Sequence, residues 1–500
     1  MACSPDIWRN FLASFPPGPE LSIARPRVTR HIVERFALPL SVHRSIKYLI
    51  WLYLLLLIFE GALRKWVLPG YADALLVVRD PVVILIYLLA VAQGVFPLNG
   101  WVITAGVLAG ASLFGSFMAG QSNLLITAYG LRSDFLHLPL IWVMAGVLTR
   151  RDVENLGKCI LLLAIPMTSI MIAQFYSPVD SFINRGVGGE EGGQIYGALG
   201  HIRSPGFFSF ITGPQLFVPL AAAFFCHQMI ATRRLWFPLL LLCGAAILIA
   251  VPISISRTVA VATLFVFTIH VLACLRTGHS LKVVFRTGWI LAAIIFACSF
   301  LPVFHHGTEA FASRWDQALA GSDDSVGIST ILDRLFGGSD SILYFVNNTS
   351  LFGAGVGMGS NVAARLTTGN MGFLLAESEL IRCIQELGPP LGLAFLGYRM
   401  ILTLKLLKDS LLRLVRARDS LPLLVICAIG TAIGFGQWAP PTVLGFAILG
   451  GGLCLAACQD EPEEEDEEDE DEESDDPSDT TDQPDSTDDE LDPSEEESRP

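Results

Sequence analysis

The chain lacks the spacings that metal and redox proteins use. It has no Cys-x-x-Cys, no Cys/His cluster and, outside the acidic run at the end of the sequence, no Asp-x-Asp. Its ten cysteines are scattered, mostly inside apolar runs, so they read as small packing residues rather than disulfides or thiolate ligands. His305 and His306 are adjacent and so poor partners for one metal ion; they read as surface histidines. No metal or other cofactor is expected. There is no G-x-G-x-x-G between a strand and a helix, which argues against a nucleotide loop. No nucleic-acid partner is expected either. Charge is scarce at 16%, and 25 of the 48 acidic residues lie in residues 460–500. That tail has a net charge of −24, so the rest of the chain carries +9 against an overall −15. The tail has no aromatic residue and too little apolar surface to fold alone, so residues 459–500 are expected to be disordered. No cleavable signal peptide is expected, because the first 44 residues are polar and Arg-rich.

What is abundant is hydrocarbon. The chain is 52% hydrophobic with a mean hydropathy of +0.53, which predicts an all-α polytopic membrane protein. Apolar runs of helical length predict about twelve spans, at 46–63, 73–95, 101–119, 124–148, 157–176, 206–231, 235–253, 258–275, 288–303, 387–404, 421–437 and 442–458. An even number puts both termini on one side. Lys and Arg number 20 in the loops and segments assigned inside and 11 on the outer side, which orients both termini to the cytoplasm. The layout is then a basic cytoplasmic segment at 1–45, nine helices over 46–303 with an outer loop at 177–205, a large periplasmic loop at 304–386, and three helices over 387–458. The charges in 73–95 and 124–148, Arg79-Asp80 and Arg132, interrupt apolar runs.

This topology gathers charge at the outer face: Arg64, Lys65, Arg79, Asp80, Arg132, Arg203, Arg257, Glu377, Glu379 and Arg382. Charge beside hydrocarbon is costly and usually marks a site or a local pair. Guanidinium groups present paired donors that match phosphate oxygens. Arg203, Arg257, Arg382, Arg64 and Lys65 are therefore candidates for holding a diphosphate lipid head group; the alternative is that each snorkels to the interface or pairs with a carboxylate. Glu377, with Glu379 in reserve, is the candidate general base for an attacking sugar hydroxyl. On one helix Glu379, Arg382 and Glu386 share a face, so the competing assignment is a set of ion pairs. The glycines at 353, 355, 357 and 359 suit a backbone that bends tightly or is closely approached.

Four segments carry a family resemblance: Arg203-Ser-Pro-Gly206-Phe-Phe, Ser254-Ile-Ser-Arg257-Thr, Leu351-Phe-Gly-Ala-Gly-Val-Gly, and Glu377 to Gly388, in which Glu386 and Gly388 match. In that order they resemble the O-antigen ligase and O-antigen polymerase superfamily of bacterial inner-membrane glycosyltransferases, over roughly residues 120–455. Glu60-Gly-Ala-Leu-Arg-Lys-Trp66 looks like a trait of its polysaccharide-associated members. The resemblance implies a GT-C-like helical fold and an undecaprenyl-diphosphate-linked glycan donor. It also implies metal-independent transfer at the periplasmic face, with Arg203 and Arg257 on the diphosphate. Chain-length or export proteins are the implied partners. Glu377 stands where the family's ligases have a catalytic histidine, and Thr212-Gly-Pro-Gln215 replaces an Asn-Pro-Asn. Both departures favour a polymerase or divergent transferase over a ligase to lipid A. Two other classes stay open: a non-catalytic subunit of polysaccharide export that binds the carrier lipid, and a twelve-helix transporter or flippase. Transporters usually show repeat symmetry between halves, and the large loop has no counterpart in the first half.

Overall fold

The computed structural model describes residues 40–231, 234–277, 281–320, 339–369, 372, 374–376 and 378–459. Glu377, the acidic tail and most of the basic N-terminal segment lie outside the described residues. The described chain is all-α apart from one two-stranded hairpin.

The first half runs α1 (Leu40–Ala62), α2 (Asp80–Ala92), α3 (Gly100–Met118), α4 (Leu124–Leu131), α5 (Leu140–Val147) and α6 (Arg150–Tyr176). Side-chain caps start three of them. Asn99 accepts from the N–H groups of Trp101 and Val102, Asn123 from those of Leu125 and Ile126, and Thr149 forms a capping box with Asp152. The hairpin of β1 (Tyr196–Ala198) and β2 (His201–Ile202) leads into α7 (Thr212–Ile230). There follow α8 (Phe237–Ile253), α9 (Arg257–Arg276), α10 (Leu281–Ser299) and α11 (Pro302–Ala320). Next come α12 (Ser339–Asn348), α13 (Asn361–Thr368), α14 (Glu379–Leu387), α15 (Pro389–Ala417), α16 (Leu421–Gly434) and α17 (Pro441–Ala457).

Helices α7 and α17 form the centre. Nearly every residue of each is buried, and both pack on α16. A helix apolar on all sides belongs in an interior. The Gly450-Gly-Gly452 run lets neighbours approach: a Cβ there would meet Ile429, Ile141 and Met144.

Among the described residues six helices are long and apolar enough to cross a membrane: His43–Val67, Ala74–Ala92, Gly100–Met118, Arg150–Tyr176, Arg257–Arg276 and Pro389–Ala417. Phe285–Ser299 and Pro302–Gln317 form a pair bent by 96°. Phe237–Ile253, Leu421–Gly434 and Pro441–Ala457 are apolar but shorter. At 1.5 Å per residue, 14 to 17 residues reach only about 21–26 Å. The expected span at 124–148 is not one helix. A π turn, Arg132–Leu136, separates α4 from α5, because Arg132 and Asp134 each turn toward partners inside the protein. The 304–386 segment is likewise no plain loop: its described parts include most of α11 and all of α12 and α13.

Ion pairs separate the two ends of the bundle. Lys47–Asp152 at 2.6 Å and Arg150–Asp419 at 2.9 Å tie one end. Arg132–Asp80 at 2.7 Å and Arg365–Asp73 at 2.6 Å lie at the other.

Candidate functional site

The second end holds three charged groupings. The first is built on the segment between β2 and α7. Gly206 is in the left-handed region (φ +62°), and a Cβ there would collide with Met167. Its N–H donates to Gln174 Oε1 at 2.8 Å, while its carbonyl accepts from Gln174 Nε2 at 3.2 Å and from Lys65 Nζ at 2.8 Å. Arg203, three residues earlier, donates its N–H to Ile195 O at 2.9 Å, and its Nε is buried without a partner. Arg257 opens α9, directly after a tight turn in which Ile255 has φ +46°. A β-branched side chain in that region is strained, and such strain persists only where the surroundings hold it. Ile255 is buried against Gly197 of β1, and Gln215 of α7 donates to Ser256 Oγ at 3.2 Å. Helix α11 folds back over this corner after its bend and adds Arg314. Burial, then Arg314, then Arg257 lower the pKa of Arg203. Arg314 and Arg257 thus lie close enough to Arg203 to act on it as like charges, and among the described residues no carboxylate forms an ion pair with any of the three. That arrangement suits a polyvalent anion.

The second grouping lies on α14. Arg382 donates to Glu379 at 2.7 and 3.0 Å, to Asp134 of the π turn at 3.2 Å, and to Glu386. Arg399 of α15 donates to the same Glu379, to Ile433 O at 2.9 Å and to Gly436 O, and lies 4.1 Å over the Trp438 ring. All five charged groups are at most 5% exposed. Burial raises the Glu379 pKa, but Arg382 and Arg399 outweigh it and hold the carboxyl below the usual range. The glycine run wraps the end of this grouping. Glu386 accepts the N–H of Gly357 and, at 3.3 Å, that of Gly359. Gly353, Gly355 and Gly357 all have positive φ, and a Cβ at 357 would strike Ile126 O.

The third grouping joins α1 to α2. Glu60 pairs with Arg79 at 3.3 Å and Arg64 at 3.5 Å; Arg79 also donates to Tyr53 and to Pro441 O. Arg132 and His137 both bind Asp80, and His137 also meets Tyr53 at 3.1 Å.

The outer-face candidates therefore divide. Arg203 and Arg257 lie on neighbouring segments, and neither forms an ion pair among the described residues. Arg382, expected to contact the lipid diphosphate, belongs to the second grouping, and Arg64 and Lys65, expected to do the same, reach the segment between β2 and α7 with their charges already committed. Arg382 is enclosed by three carboxylates, Arg64 is spent on Glu60, Ala72 O and Ser209, and Lys65 is 1% exposed with its ammonium on Gly206 O. Glu379, expected as the reserve base, is held between two guanidiniums, with both carboxylate oxygens bonded to them. The ion-pair alternative describes the Glu379–Arg382–Glu386 trio. Sequence reasoning did not find Arg314 or Asp134. Arg314 falls in the segment expected as a large loop but lies on α11, whereas Asp134, two residues after Arg132 inside an apolar run, was a visible signal. No protein-family profile matches the chain, and no curated protein matches it.

Proposed function

We propose that the chain is a bacterial inner-membrane glycan polymerase or transferase of the O-antigen ligase and polymerase type, acting on undecaprenyl-diphosphate-linked oligosaccharide at the periplasmic face. The observation that supports this reading is the arginine corner: Arg203 and Arg257, distant in sequence, flank the contact between Ile255 and the hairpin, and neither has an acidic partner among the described residues. A diphosphate would neutralise them, and the lipid tail would lie along the apolar helices. In this reading the six long helices, the three shorter ones, the bent pair, α7 and the broken α4–α5 segment make twelve crossings of a GT-C-like bundle, with both termini cytoplasmic. Glu377 remains the proposed base, since Glu379 is occupied.

One observation favours a second reading, a carrier-binding subunit of polysaccharide export without transfer chemistry: the carboxylate nearest in sequence to Glu377 is committed to ion pairs.

The test is binding and product together. Losing a charge-assisted contact costs about 1.5–3 kcal/mol, roughly 10- to 100-fold in affinity. Arg257→Ala and Arg203→Ala should each weaken binding of purified protein to undecaprenyl diphosphate by that factor and shorten or deplete the glycan in cells at equal protein level. Arg257→Lys should fail as well, because a point charge does not replace a fork. Unchanged binding in both alanine variants removes the site. Lost binding with normal glycan removes the link to synthesis. Glu377→Gln should bind normally and lower transfer at least about tenfold; full transfer there favours the second reading.

A further inference from the structure

The grouping on α14 does not balance. It contains three carboxylates, Asp134, Glu379 and Glu386, against two guanidiniums, Arg382 and Arg399, all nearly or wholly out of contact with solvent. With every group ionised it would hold a net charge of −1 where water does not screen it. An uncompensated buried charge is among the costliest features a fold can carry. The neighbouring grouping has the opposite surplus, with Glu60 and Asp80 against Arg64, Arg79 and Arg132. That surplus does not reach across. Arg132 turns its guanidinium to Asp80 and Leu76 O, and its Nη1 is left without a partner, as is Asp134 Oδ2. The two unpartnered atoms sit two residues apart on one π turn and do not meet.

The geometry points to a proton-binding site: we propose that the folded chain holds one exchangeable proton on the Asp134–Glu386 pair, with Arg382 between the two carboxyls. Glu379 is not the holder, because both of its oxygens face guanidiniums. Glu386 faces Arg382 and two glycine N–H groups, all of which favour its ionised form. Asp134 has one contact to Arg382 and one bare oxygen. The proton therefore rests mainly on Asp134, and the pair titrates as a unit. The other groups facing it are Arg399 and the buried thiol of Cys383. Burial pushes the Glu386 carboxyl above its ordinary value. Because Glu386 also grips the glycine run, loss of the proton would place unshielded charge at the point where α14, the π turn and residues 353–359 join. The inference does not rest on the proposed glycan activity.

The test uses the full chain in nanodiscs. A carboxyl whose folded pKa exceeds its unfolded one stabilises the fold fully below the unfolded value, and that stabilisation is lost as pH rises through the folded value. The wild-type unfolding midpoint should therefore fall as pH rises from about 4 toward and past neutrality. Asp134→Asn leaves two carboxylates against two guanidiniums. It should lose that fall and be at least as stable as the wild type at alkaline pH. Wild-type protein at neutral pH should also show the infrared carbonyl band of a protonated carboxyl, and Asp134→Asn should lack it. No such band in the wild type overturns the proposal without recourse to any variant. The same pH slope in wild type and Asp134→Asn overturns it too. If that variant does not insert, Glu386→Gln makes the same charge change and must abolish the slope.

Discussion

The carboxylate of Glu386 accepts the backbone N–H of Gly357, 29 residues earlier in the chain. Gly355 N–H donates to the backbone carbonyl of the same Glu386 at 2.9 Å, and Ala354 N–H to Gln385 O at 2.8 Å. The glycine run is thus the cradle of an internal anion, and its glycines have no room for side chains because the end of α14, Gln121 and α4 fill that space.

Gly357→Ala should be severely disruptive. It combines a left-handed backbone with a Cβ directed at Ile126 O and the backbone of Gly130. The backbone term alone costs about 1–2 kcal/mol, and the collision adds to it. Gly106→Ala, on an exposed face of α3 with nothing near its Cβ, should be neutral or stabilising by about 0.5–1 kcal/mol. Unfolding midpoints of the two purified variants make the comparison; equal midpoints would mean that residues 353–359 are not packed as described.

Glu379→Gln should behave as a stability mutant. It leaves Arg382 and Arg399 without their shared carboxylate, and breaking a buried pair costs about 3–5 kcal/mol. Membrane abundance should drop, with any glycan defect scaling with abundance. The depressed pKa of Glu379 gives this contribution a sign: it is present above the ordinary carboxylate range and lost only as pH falls through the lower folded value. A glycan defect at normal abundance would restore Glu379 as a candidate base.

Gln174→Leu tests positioning. Gln174 is wholly buried and holds both polar groups of the Gly206 backbone, so it fixes the segment that carries Arg203 without reaching any ligand. Leaving that N–H unpaired costs about 1–3 kcal/mol. Affinity for undecaprenyl diphosphate should fall, and Gln174→Glu, which keeps the acceptor for the Gly206 N–H, should recover part of it. Unchanged affinity in Gln174→Leu would show that Arg203 is placed by other contacts.

Orientation can be read by labelling. Asn361 and Arg418 are both exposed and lie at opposite ends of the bundle. In a background lacking the native cysteines, a cysteine at 361 should react with an impermeant maleimide on intact spheroplasts, and one at 418 should not. The reverse pattern would place the arginine corner in the cytoplasm.

Composition and apolar run length determine that this chain is helical and built for a membrane, since burial in hydrocarbon requires backbone polar groups to pair within each helix. They also mark where charge sits at helix ends, and so single out Arg203, Arg257 and the Glu379–Glu386 segment. The tertiary structure alone decided which of those charges are spent. Glu379, Arg382 and Glu386 share a helix face, but a helix face can look inward or outward; only Asp134 from one segment and Arg399 from another turn it into a closed centre. Span length was equally local and equally incomplete, because Arg132 and Asp134 break a run of apolar residues for partners that sequence spacing does not name. Ionic compensation is a property of distances between segments far apart in the chain, and only the packed bundle sets those distances.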